Sequence, residues 1–158
     1  MSTTETTEET IETQQPTAPA PEAAGMPRQL DAAHRERRDA AVAFAKEAAQ
    51  LCADLRCRDV KVLDVAGLSP VTDVFLIATG GSPRQMTSVA MQVGDLAREQ
   101  GITSMHSLKR GDGDERWIAI DLIDLVVHLF SEEAREYYDL DHLWGEATEV
   151  SWYDPDRK

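Results

Sequence analysis

Apolar positions along this chain change period several times, and each change predicts an element. From Asp31 to about Arg56 they recur at helical spacing. Val42, Ala45, Ala49 and Cys52 form one line and Phe44, Ala48, Leu51 and Leu55 an adjacent one, which predicts a helix that packs one broad face. Two short apolar runs follow, Val60 to Val65 and Val74 to Thr79, joined by AGLSPVT. That linker, with Gly67 and Pro70, is too short for a helical crossover and predicts an antiparallel connection. The second run, VFLIAT, is nearly unbroken hydrophobe, the pattern of a central strand covered on both faces. In TGGSPRQMTSVAMQVGDLAREQG, Ser82 is placed as an N-cap, Pro83 at the first helical position and Gln85 as the partner in a capping box. Met86, Val89, Ala90, Val93 and Leu96 or Ala97 then repeat at helical spacing until Gly101 ends the helix. Ile102 to Leu108 is a predicted strand and Arg110 to Glu115 a polar loop.

The most informative stretch is Trp117 to Trp144. Trp117 to Leu122 and Leu125 to Phe130 are rich in β-branched and aromatic residues and flank Ile123-Asp124, which predicts an antiparallel hairpin. Its register sets Leu122 opposite Leu125, Ile120 opposite Val127 and Ile118 opposite Leu129. Because side chains alternate, these six share one fully apolar face. The other face pairs Trp117 with Phe130, Ala119 with His128 and Asp121 with Val126, mixing large aromatics with an acid and an imidazole. A half-polar face rimmed by a Trp is either covered by a helix or offered to a partner. Ser131, Glu132 and Glu133 open a last helix in the manner the helix dipole favours, with Tyr137, Leu140 and Trp144 as a stripe along it. The elements add up to an α/β fold, about five strands in a mixed sheet with flanking helices.

Composition narrows the functions open to such a fold. At 158 residues the chain suits one domain with extensions. Residues 1 to 27 are Thr, Glu, Pro and Ala with almost nothing large and apolar, which predicts a disordered acidic tail; the domain is expected over 28–146 and a C-terminal extension over 147–158. Acids outnumber bases 29 to 16, and the first 25 residues carry five Glu and no Lys or Arg, so the remainder is still acidic at 24 to 16. A net negative body repels phosphates and predicts little direct nucleic-acid binding, while suiting a basic protein partner. MSTTETTEETIETQQ lacks the basic and apolar regions of a signal peptide, and no apolar run reaches membrane-spanning length, which predicts a cytoplasmic protein. Cys52 and Cys57, five apart in a helical segment, suit neither a disulfide framework nor a metal pair and are expected as small buried residues. The arginines in the first helix, Arg35, Arg37 and Arg38, are interleaved with acids and read as a solvated face.

No constellation for catalysis, cofactor or metal emerges. The Gly80-Gly81-Ser82 turn between strand and helix is the best phosphate-binding candidate, but neither GxxxxGKS nor GxGxxG is present. A nucleotidyltransferase would carry a D-x-D pair on a strand about ten residues later, so that both carboxylates reach one metal pair. That distance lands on MQVGD, in a helix, with the single acid Asp95. Asp121 and Asp124 flank a turn, and Asp139 and Asp141 lie in helical or turn context. His34, His106, His128 and His142 are isolated, with no HxH or HExxH, and no serine sits in a GxSxG elbow.

VLDVAGLSPVTDVFLIATGGSPRQM, WIAIDLIDLVVHLF and REYYDLDHLWG together resemble the ribosomal silencing factor family, the Iojap-related proteins, over about residues 38 to 146. The resemblance implies a mixed-sheet domain related to the nucleotidyltransferase fold without its catalytic carboxylates, and no catalysis. It also implies binding to a basic protein on the intersubunit face of the large ribosomal subunit, beside the sarcin-ricin region, so that the small subunit is kept from joining when nutrients are short. Self-association is implied too, since members are seen as dimers. The family's D-x-F-x-I-x-T-G motif falls on Asp73, Phe75, Ile77, Thr79 and Gly80. The hairpin's Trp and H-x-F element fall on Trp117, His128 and Phe130, and R-x-x-Y-x-L-x-x-L-W on Arg135, Tyr138, Leu140, Leu143 and Trp144. The expected partner-binding residues are therefore Asp73, Phe75, Trp117, Asp121, His128, Phe130, Tyr137, Tyr138, Leu140 and Trp144. Two positions depart from the family: Val74 stands where an aromatic is common, and Ile123 where the hairpin turn commonly has Gly.

Overall fold

A computed structural model of the chain describes residues 31–103, 106–111 and 114–156. The acidic tail expected over 1–27 lies outside the described residues. Asp31 caps the first helix, α1 (Ala32–Asp54), by accepting the His34 N–H at 2.7 Å. Strands β1 (Arg58–Asp64) and β2 (Val74–Thr79) follow as the expected antiparallel pair, and every residue of β2 is buried. Helix α2 (Pro83–Glu99) starts at Ser82, whose Oγ accepts the Gln85 N–H. Gln85 reaches back to the Gly81 N–H at 2.5 Å, one residue before the N-cap.

Next come β3 (His106–Gly111), β4 (Asp114–Asp121) and β5 (Leu125–Phe130). Strands β3 and β4 extend into the polar stretch expected to be a loop, and β3 begins later than the apolar run suggests. The hairpin has the predicted register in full, from Trp117 opposite Phe130 to Asp121 opposite Val126. Its turn is unusual. The Asp124 N–H donates to the Leu122 carbonyl across Ile123, whose φ is +73°, so a β-branched residue occupies the strained centre of a γ-turn.

The last helix is broken. Asp139, at φ +44°, separates α3 (Glu132–Tyr138) from α4 (Leu140–Leu143), and the expected single stripe does not form. Tyr137 is 74% exposed, and Tyr138 takes its place beside Leu140 and Trp144. Finally β6 (Thr148–Val150), from the segment read as an extension, pairs with β1. Among the described residues the sheet has six strands in the order β3-β4-β5-β2-β1-β6, antiparallel except for the parallel β2–β5 pair.

Helices cover both faces of this sheet. On one face α1 and α2 bury Phe44, Ala45, Ala48, Met86, Val89 and Val93 against Leu76, Ile118, Ile120, Val127 and Leu129. On the other, α3, α4 and the C-cap that ends α4 bury Ala134, Leu140 and Trp144 against Leu63, Phe75, Ile77 and Phe130. Cys52 is buried and Cys57 half-buried, both as free thiols. Burial and a shared hydrogen bond push the Cys52 thiol up, with the Cys57 bond the larger cause. Arg35 and Arg37 are exposed as expected. Arg38 is not: it is half-buried and ion-paired with Asp64, fastening α1 to the end of β1. Trp152 packs against the core with its indole N–H on the Val60 carbonyl at 3.0 Å, while Tyr153 is exposed.

Candidate functional site

The aromatic face of the hairpin holds a groove. Alternation places Trp117, His128 and Phe130 on one side of β4 and β5, and the parallel pairing of β2 with β5 brings Phe75 beside them. Phe130, 1% exposed, lies at the base and stacks on Trp117 at 5.5 Å and on His128 at 5.8 Å. Tyr138 covers Trp117 from α3 at 4.9 Å. Phe75 touches both His128 and Trp144 at 5.3 Å, and so joins the sheet to α4. Such aromatic pairs contribute about 0.5–1.5 kcal/mol each beyond the area they bury.

Between this cluster and the loop 66–73 lies an apolar cavity of about 190 Å³, lined by Phe75, Trp117, His128, Leu140, Leu143 and Trp144 on one side and by Ser69 to Thr72 on the other. It is smaller than the roughly 300–1,000 Å³ of small-molecule and cofactor sites, and its size suits one or two apolar side chains. Val71 and Leu143 stand exposed at its rim. The loop is held in shape from within. Ser69 Oγ accepts the Val71 and Thr72 N–H groups, and Thr72 Oγ1 donates to the Val74 carbonyl.

His128 is the ionisable group of this wall. The Trp117 indole N–H donates to its Nδ1 at 3.2 Å; an indole nitrogen can only donate, so the ring is neutral and carries its proton on Nε2. Burial pushes its pKa down to about 4.

Seven of the ten expected contact residues meet here: Phe75, Trp117, His128, Phe130, Tyr138, Leu140 and Trp144. Three do not. Asp73 is buried and engaged within the chain, its Oδ2 2.6 Å from His34 Nε2, where it fastens α1 to the loop. Asp121 closes the hairpin, its Oδ1 accepting the Ile123 N–H. Tyr137 faces solvent, edge-on to Tyr138. Sequence reasoning missed the loop wall and Val126. Its one signal was Val71, an apolar residue in a turn, set just before the motif that begins at Asp73.

The Gly80-Gly81-Ser82 turn has no amides to offer a phosphate from its two glycines. Gly80 N–H donates to the Phe130 carbonyl and Gly81 N–H to the Gln85 side chain. A Cβ on Gly80 would stand 2.2 Å from Met86 Cγ, so the glycine there is required by packing. Among the described residues no group of three His, Cys, Asp or Glu side chains could hold a metal ion, and no helix is long and apolar enough to cross a membrane.

A mixed sheet covered unequally on its two faces, with an aromatic-walled groove on the thinner side, defines the class: a small α/β domain with an apolar groove between the sheet, its short helices and a loop. The family model described as ribosomal silencing factor during starvation matches residues 38–158. The chain belongs to that family. It is 42% identical over 104 residues to the ribosomal silencing factor RsfS of Bacillus subtilis, covering 65% of this chain and 85% of that one. It is also 33% identical over 112 residues to the chloroplastic protein Iojap of Arabidopsis thaliana, across 69% of this chain and 44% of that one. A crystal structure of a Chromobacterium violaceum protein superposes with a TM-score of 0.61 at 29% identity, covering 75% of this chain and 96% of that one. One from Bacillus halodurans superposes at 0.57 with 34% identity, over 72% and 98%. The match runs past Gly145 and takes in β6, in keeping with its place in the sheet.

Proposed function

We propose that this chain is a ribosomal silencing factor that acts in the cytoplasm by occupying the large ribosomal subunit. Its target is a basic protein on the intersubunit face, and the small subunit is excluded because the same surface is taken. The observation that carries this reading is the groove: residues from three separate family motifs converge on one apolar cavity. An apolar side chain of the ribosomal protein fills it, Trp117 anchors the rim, and the acidic chain, net −13 over its full length, complements the basic partner. A standard interface of about 1,600 Å² is enough for steric exclusion, so no bond need be made or broken.

Sedimentation of the full chain with isolated bacterial large subunits, followed by addition of small subunits, tests this. Comigration with the large subunit and a loss of joined ribosomes are expected. Absence of comigration at roughly micromolar protein would overturn the reading.

A further inference from the structure

The outer wall of the groove is made of two helices of 7 and 4 residues, interrupted by a left-handed Asp139. Segments this short have no helical stability of their own and depend on tertiary ties. One side chain supplies most of the polar ones. Arg135, 11% exposed, donates from Nε and Nη2 to the two oxygens of Asp141, each at 3.0 Å, and so bridges the break between α3 and α4. Its Nη1 donates to Thr79 Oγ1 at 3.0 Å, at the end of β2, and to the Asp59 carbonyl at 2.6 Å.

The Asp59 carbonyl is available because β1 bulges. Arg58 stands opposite Thr79 but Lys61 opposite Ile77, which leaves one extra residue on β1, and Asp59 takes φ +48°. Lys61 Nζ, just past the bulge, lies 3.2 Å from Asp141. Burial alone would push the Asp141 carboxyl up; hydrogen bonding and charge from Arg135 and Lys61 outweigh it and hold the carboxyl below its ordinary range. Only a planar guanidinium can serve a carboxylate in two-pronged fashion and still donate to two further oxygens; an ammonium cannot.

We propose that Arg135 is a positioning residue, a latch that fixes Leu140 of α4 and Trp144 at its C-cap at their distance from Phe75 and His128 and so sets the width of the groove. The proposal rests on the groove being the partner site, but its structural half can be tested without a ribosome. The full-length chain and its Arg135→Ala and Arg135→Lys variants are compared by amide hydrogen exchange and by binding to isolated large subunits. In Arg135→Ala the amides of Asp139, Leu143 and Trp144 exchange roughly tenfold faster or more, while those of β2 and β5 keep their protection. Affinity for the large subunit falls roughly tenfold. Arg135→Lys restores at most part of both, because the fork is lost.

Uniform acceleration of all amides would reduce Arg135 to a general stabiliser and overturn the latch; so would an Arg135→Ala chain that binds as tightly as the wild type. Should Arg135→Ala fail to fold, Thr79→Val removes one of the four hydrogen bonds at nearly constant volume. The same selective acceleration is then expected at about threefold, and its absence overturns the proposal. If the wild-type chain itself does not bind large subunits, the functional reading fails while the exchange pattern still decides whether the latch exists.

Discussion

The two faces of the sheet are built from alternate residues of the same strands and finished in opposite ways. On one, Ile118, Ile120, Val127 and Leu129 meet helices of 23 and 17 residues carrying Ala45, Ala48, Val89 and Val93. Small and aliphatic side chains on long helices interdigitate closely with a pleated surface. On the other, Trp117, His128 and Phe130 meet helices of 7 and 4 residues and a loop, and large rings under so short a cover leave a cavity. The aliphatic face supplies the stability that lets the aromatic face stay incompletely filled. The groove therefore lies where coverage is thinnest, on a sheet whose opposite face is filled.

Substitution on the filled face should have the largest effect and leave recognition intact. Leu129, fully buried there, is expected to lose about 3 kcal/mol of stability on Leu129→Ala, read from chemical denaturation, with unchanged affinity of the folded fraction for the large subunit. A parallel loss of affinity by folded protein would break the division of labour. On the open face the balance reverses. Trp117→Ala is expected to weaken large-subunit binding by about 2 kcal/mol or more, measured by titration, while the fold is retained. Unfolding instead would make Trp117 a structural residue.

The third test uses pH. His128 binds its proton at about 4 in the folded chain and near 6.5 when unfolded, so the unfolded state holds more protons between those values. Stability from this group is complete above about 6.5 and falls as pH drops toward 4. Between pH 7 and 5 the loss is about 2 kcal/mol, seen in denaturation midpoints and removed in His128→Phe. A wild-type pH dependence no steeper than that of His128→Phe would mean that the ring is more open to water than the groove suggests.

The smallest effect concerns the turn joining the two strands. Ile123 is exposed and held at φ +73°, so Ile123→Gly relieves strain at little cost in packing and should raise stability by about 1 kcal/mol. Thermal melting that shows no gain would imply that the γ-turn is relaxed in solution.

Much of this arrangement is legible in the residues. Strict alternation in Trp117 to Phe130 specifies the register, because a slip of one residue would turn six apolar side chains to the wrong face. Ser82 and Ser131 announce helices that begin where caps permit. What escaped has a common cause. Strand β6 is the sequence TEV, which has no hydrophobic signature and exists because β1 offers an open edge. The break at Asp139 interrupts a pattern that reads as continuous helix, and it turned Tyr137 outward. Arg38 reads as a solvated charge, Asp73 as a partner contact and Arg135 as a motif residue without an assigned role, until the fold supplies Asp64, His34 and Asp141. In the groove, the rings could be named one by one. The loop wall could not, since Ser69 to Thr72 reach it only through tertiary placement.

Strand β6 also bears on the chain's fate after synthesis. It covers Val62, Leu63 and Asp64, three of the seven residues of a strand whose outer edge would otherwise present free amide and carbonyl groups beside apolar side chains. Such an edge is a template for strands of other molecules. A chain cut by a protease after Gly145 would keep every ring of the groove and yet gain an adhesive border, so that nicked protein would be removed from solution by aggregation before any loss of recognition was felt.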